Sequence, residues 1–175
     1  TIPQGSTGNR SYTANWDIES YPITYILNRI CELSGGVFLY AELFVEDVKN
    51  GGIDLREVDT FPRGLSDFYR LSMQRKFNEK DSFEKIRDFV EILSVSDTIP
   101  EPLLIETCNY SKYTYFSYLD KMGSWVNRQD EQKGTIGFSH KSLADWFTNE
   151  RRSGVFFVDK CHGALVLARH CRKLI

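Results

Sequence analysis

The sequence predicts a mainly α fold that carries one short β-hairpin, and three observations predict it. Apolar residues recur at helical spacing along most of the chain, Gly and Pro punctuate those stretches, and between Trp125 and Phe138 the pattern changes to that of paired strands. With 175 residues, 41% of them hydrophobic and 26% charged, the chain can bury one or two modest cores.

The elements follow in order. Residues 1–17, rich in Gly, Ser, Thr and Asn toward their start, read as a poorly ordered linker. Ser20 and Pro22 signal a helix start, Ile23, Ile26, Leu27, Ile30 and Leu33 supply its apolar face, and Ser34-Gly35-Gly36 stops it. A second helix with Phe38, Leu39, Leu43 and Val48 near one stripe ends at Asn50-Gly51-Gly52. After Pro62 and Gly64, the apolar residues Leu65, Phe68, Tyr69, Leu71, Met73 and Phe77 give a third helix. Asp81-Ser82 caps a fourth that buries Phe83, Ile86, Phe89, Val90 and Leu93.

From Ser96 the grammar changes. Pro100 and Pro102 bracket a short helix over Leu103 to Cys108, and Ser111 opens another that carries Tyr115, Tyr118, Leu119 and Met122. Trp125-Val126 and Ile136-Gly137-Phe138 are β-prone runs flanking a polar segment, a hairpin signature, and a helix with Leu143, Trp146 and Phe147 follows His140. Helix, helix, helix and hairpin, over about Ser82 to Asn149, is the order of a winged helix. Val155 to Val158 reads as extended and leads into a last helix with Leu165, Val166, Leu167 and Ala168. The chain opens on Thr1 and closes at Ile175 inside an apolar helical pattern, which predicts a piece of a larger protein.

Composition narrows the function. A formal net charge of -2 offers no positive field for a polyanion, and the candidate recognition helix carries only Lys112 and Lys121, so nucleic acid is disfavoured as a partner. Apolar runs such as Gly36 to Ala41 are far shorter than the ~20 residues of a membrane span. Cys31, Cys108, Cys161 and Cys171 are scattered, which predicts reduced thiols in a cytoplasmic protein. No GxxxxGK[ST], GxSxG or HExxH occurs, so no catalytic residue is predicted. Cys161-His162 and His170-Cys171 offer soft ligands, but His162 and His170 are more than two helical turns apart, and no metal site is predicted. His140, with Ser139 and Ser142 as sequence neighbours, lacks a third partner for hydrolytic catalysis.

Three stretches carry a resemblance: Ser34-Gly35-Gly36-Val37-Phe38-Leu39-Tyr40-Ala41, then Phe61-Pro62-Arg63-Gly64-Leu65 with Tyr69, then Phe138-Ser139-His140-Lys141-Ser142-Leu143-Ala144-Asp145-Trp146. In order and spacing they resemble the region after the nucleotide-binding core of NACHT-type STAND ATPases, especially ankyrin-repeat scaffolds of the TANC-like kind, over about Ile18 to Cys171. The resemblance implies a helical lid domain over 18–80, a winged-helix domain with a short β-hairpin wing over 81–150, and an extended segment leading into a helical or repeat region over 151–175.

It further implies a non-catalytic regulatory module that binds no cofactor by itself. An upstream nucleotide-binding domain of the same chain would hold ADP or ATP, and downstream repeats would bind protein partners, with oligomers possible in the parent. By that resemblance His140 falls where relatives bond the β-phosphate of ADP, and Val37-Phe38 falls where related ATPases carry a Gly-x-Pro sequence touching adenine. The alternative is a standalone winged-helix domain that binds protein or DNA.

Overall fold

A computed structural model describes residues 21–77, 80–130 and 134–173. The linker expected over 1–17 and the capping Ser20 lie outside them, as do the last two residues of the chain. Helices dominate, and the sheet is small, antiparallel and three-stranded, with strand order β1-β3-β2.

The first three helices pack on one another. α1 (Ile23–Ser34) begins after Pro22 and ends where Gly35 takes the left-handed conformation, φ 56°, that glycine adopts without strain. α2 (Phe38–Lys49) follows after a three-residue corner, Gly35 to Val37. Its buried stripe differs from the one the sequence predicts. Tyr40 and Phe44, one turn apart, are fully enclosed, while Phe38 stands 82% exposed. On α1 only Ile26 is fully buried, and Ile23 and Leu27 face outward. α3 (Gly64–Lys76) lies against both and buries Phe68, Tyr69 and Met73. An aromatic chain holds α2 to α3 and to the loop before it: Phe61 edge-on to Phe44 at 4.8 Å, Phe44 against Tyr40 at 5.9 Å, and Tyr40 edge-on to Phe68 at 6.0 Å.

The fourth helix of the sequence reading is two, α4 (Lys80–Glu84) and α5 (Arg87–Leu93), broken at Lys85-Ile86. The expected residues Phe83, Ile86, Phe89, Val90 and Leu93 are all buried. Next come β1 (Ile99–Pro100), α6 (Glu101–Thr107) with Pro102 in its first turn, and α7 (Lys112–Met122). Ser111 caps α7 by accepting the Thr114 N–H at 3.0 Å. The hairpin is β2 (Val126–Asp130) and β3 (Thr135–Phe138), and Trp125 stands just before it in a 3-10 turn. β1 adds to the hairpin by pairing Ile99 with Ile136, which puts β3 in the centre.

After β3 come α8 (Lys141–Phe147), α9 (Glu150–Ser153) and α10 (Lys160–Lys173). Val155 and Phe156, read as extended, lie instead in a 3-10 turn that follows α9, because Phe156 turns inward onto Phe83, edge-on at 5.1 Å. α10 then packs along α5, with further contacts to α6. Gly163 makes that approach possible, since a Cβ there would sit 2.6 Å from the Glu91 carbonyl oxygen. Among the described residues no helix is long and apolar enough to cross a membrane.

Candidate functional site

The three stretches that carry the resemblance are linked in space by buried and part-buried polar contacts. From the first, the Tyr40 hydroxyl donates to the Pro62 carbonyl of the second at 2.7 Å. From the second, the Tyr69 hydroxyl bonds Ser142 Oγ of the third at 2.8 Å. From the third, Trp146 Nε1–H donates to Ser66 Oγ at the start of α3, 3.1 Å away. The last two span 73 and 80 positions of sequence, so they join the α1–α3 half to the half that holds the sheet.

Aromatic packing surrounds these bonds. Tyr69 lies between Trp125, 5.2 Å away, and Trp146, 5.8 Å away, both edge-on to it. Burial pushes the Tyr40 phenol up to about 12, helped by the charge of Asp67, and burial also raises that of Tyr69 against the hydrogen bond from Ser142. Both hydroxyls therefore stay protonated near neutral pH, and the Tyr40 bond to Pro62 does not titrate there.

His140 occupies the capping position of α8, with extended backbone at φ -138° and ψ 132°. Its carbonyl accepts the Leu143 N–H at 3.0 Å, but its imidazole makes no hydrogen bond among the described residues. The side chain is half-buried. Just before it, Ser139 is tied down at two points: its N–H donates to the Trp125 carbonyl at 3.0 Å and its hydroxyl to the Ser124 carbonyl at 2.5 Å. Ser139 and Lys141 line an open cleft of about 310 Å³ together with Asp97, Asp145 and Lys160. His140 is not among the residues that line it, and alternation along extended backbone turns its side chain to the opposite side. The strand end thus holds an imidazole on a tied-down backbone, with no hydrogen bond to its nitrogens among the described residues.

Val37 and Phe38 are at the N-terminus of α2, a separate place in the fold. Val37 is 41% and Phe38 82% exposed. Neither bonds His140, and Phe38 makes no ring contact among the described residues. Tyr21, Ile23, Tyr25 and Leu27, on or just before α1, are exposed apolar side chains as well. The structure therefore does not bring Val37 and Phe38 onto His140. It connects them through Tyr40, Pro62, α3, Tyr69 and Ser142.

A second cleft, of about 280 Å³, opens between α2, α3 and the turn before β2. It is lined by the ion-paired Arg75 and Asp47 and by Lys76, whose ammonium burial pushes down. The soft ligands of α10 do not converge: His162 bonds Glu91, His170 lies beside Glu106, and among the described residues no group of three or more His, Cys, Asp or Glu is placed to hold a metal ion.

On and just before α7 the tyrosines divide. Tyr115 is fully buried and Tyr110 and Tyr118 pack edge-on to each other at 5.2 Å, whereas Tyr113 is 85% exposed. Sequence reasoning found Tyr69, Ser142 and Trp146 as parts of motifs, but it missed that they bind one another, and it missed Ser66 and Glu91. Only the closeness of Ser66 to the Phe61–Leu65 stretch gave any signal. No protein-family model, curated protein or solved structure matches the chain.

Proposed function

We propose that this chain is the lid and winged-helix module of a NACHT-type STAND switch or scaffold in the cytoplasm. It transmits the nucleotide state of an upstream P-loop domain to a repeat region downstream, and it does no chemistry of its own. Residues 18–80 form the lid and residues 81–150 the winged helix in this reading. The order α5, β1, α6, α7, β2, β3, with β3 central, supports the winged-helix assignment.

The observation that carries the proposal is the junction of Tyr69 with Ser142 and of Trp146 with Ser66, which couples the lid to the element that begins at His140. An imidazole on a tied-down backbone suits contact with a bound diphosphate, because it can donate a charge-assisted hydrogen bond to phosphate oxygen. The exposed apolar side chains Ile23, Leu27, Val37 and Phe38 suit cover by the upstream domain.

In the parent protein with its nucleotide-binding domain, His140→Ala should speed ADP loss about tenfold or more, the worth of one hydrogen bond to a charged group. Dissociation of a fluorescent ADP analogue measures it. An unchanged rate in a folded variant overturns the nucleotide role. The exposed Tyr113 and Phe116 on α7 favour a second reading, a standalone module whose α7 face binds protein. Such a module would show no nucleotide effect of His140 at all.

A further inference from the structure

α10 is held to the rest of the molecule by a buried carboxylate. Glu91 on α5 has a side chain only 7% exposed, and the N-terminal end of α10 engages both of its oxygens. Oε2 lies 2.7 Å from His162 Nδ1, and Oε1 accepts the Asp159 N–H at 3.4 Å. Asp159 caps the same end by accepting the Cys161 N–H at 2.8 Å. One residue on, Gly163 brings the helix backbone against the Glu91 carbonyl, so the Glu91–His162 pair sits at the closest approach of α5 and α10.

No lysine or arginine forms an ion pair with Glu91 among the described residues. Arg87, one turn earlier, is engaged by Glu84 and by the carbonyls of Val155 and Phe157. His162 is the group in direct contact with the Glu91 carboxylate, and the Arg87 guanidinium adds a more distant positive charge on the same helix.

We propose that α10 is a proton-controlled latch, closed on α5 while His162 is protonated opposite Glu91 and loosened when that proton leaves. The inference stands whether or not the nucleotide reading does. A buried carboxylate facing a neutral ring keeps its hydrogen bond but loses its nearest counter-charge, with only the more distant Arg87 left, and burial makes that loss matter. The other charges around His162 are acidic as well, Asp88 on α5 and Asp159 in the approach to α10. At the far end of α10, His170 Nε2 lies 3.6 Å from Glu106 on α6, too long for a hydrogen bond but close enough for attraction. Two of the chain's three histidines thus sit on α10 facing glutamates.

Glu91 raises the pKa of His162, first through the hydrogen bond and then through its charge. A group whose folded pKa exceeds its unfolded value stabilises the folded state fully below the unfolded pKa, here the ordinary histidine value of 6.5. The contribution fades as pH rises through the raised value. The latch therefore weakens on the alkaline side of 6.5.

The test is hydrogen exchange of the 160–173 amides in this chain from pH 5.5 to 8.5, corrected for intrinsic exchange, with the His162 titration followed by NMR. Protection should fall with rising pH by about tenfold for each pKa unit that NMR finds His162 raised. His162→Gln, at a half-exposed position, should flatten that part of the profile. Glu91→Gln should lower the His162 titration toward the ordinary value, since Glu91 makes the largest contribution to its rise and Asp88 and Asp159 remain. His170 is intact in both variants. A native profile without pH dependence, or one that His162→Gln leaves unchanged, overturns the latch, and the His162 variant decides the matter even where Glu91→Gln does not fold.

Discussion

Replacing Trp146 with Ala should lower the unfolding free energy of this chain by about 3–5 kcal/mol, the range for deleting a fully buried large aromatic. The indole is 2% exposed and packs on Tyr69, on Phe147 at 5.2 Å and on Phe156 at 6.3 Å. Its Nε1–H also makes one of the two side-chain hydrogen bonds between α3 and α8 among the described residues. Against a total stability of about 5–15 kcal/mol, that loss is about a fifth or more. Trp146→Phe keeps most of the apolar contact and removes the donor, so it should cost less, about 1–3 kcal/mol. Urea unfolding followed by far-UV circular dichroism measures both. A loss under about 1 kcal/mol for Trp146→Ala would mean that the two halves do not depend on this ring.

The second large effect has a sign that strand propensity alone would get wrong. Glycine weakens a strand interior, so Gly137→Ala on the central strand β3 reads from sequence as a gain. In the fold, a Cβ at position 137 would lie under 3.0 Å from the Asp97 carbonyl oxygen and 3.3 Å from its carbon. Both are backbone atoms of the segment that leads into β1, and no side-chain rotation relieves the clash. The substitution should therefore cost about 1–3 kcal/mol or more and open the pairing of Ile99 with Ile136. Denaturation gives the energy, and exchange of the Ile99 and Ile136 amides shows the opening. A stabilised variant with both amides still protected would show that the 97–98 segment moves aside freely.

This second case marks where the sequence stops being legible. Elements that depend on local punctuation could be read directly: Gly35 ends α1, Ser111 caps α7, Pro102 sits in the first turn of α6, and the hairpin falls between Trp125 and Phe138. Those that depend on distant partners could not. β1 is two residues long and contains a proline, which fits only the edge position it takes beside β3. Phe38 shows the limit in another way. Its apolar character placed it on the buried stripe of α2, but the corner after Gly36 turns Tyr40 and Phe44 inward instead.

The candidate site follows the same division. His140 stood out from the sequence by its place between a strand and a helix and by the resemblance of its surroundings. The bonds that join its half of the molecule to the other could not be seen, since Ser66 and Tyr69 are more than seventy positions from their partners. The buried Glu91 was one unremarked acid in an amphipathic helix until α10 folded back over it.

Coupling between the half that carries Phe38 and the half that carries His140 is the central claim, and hydrogen exchange in rising urea tests it most directly. If Tyr69–Ser142 and Trp146–Ser66 bind the halves into one cooperative unit, the amides of α3, β3 and α8 should lose protection together at one urea concentration, and Tyr69→Phe should shift all three by the same amount. Loss of protection in α1–α3 while β3 and α8 remain closed would contradict the claim and leave two independent domains.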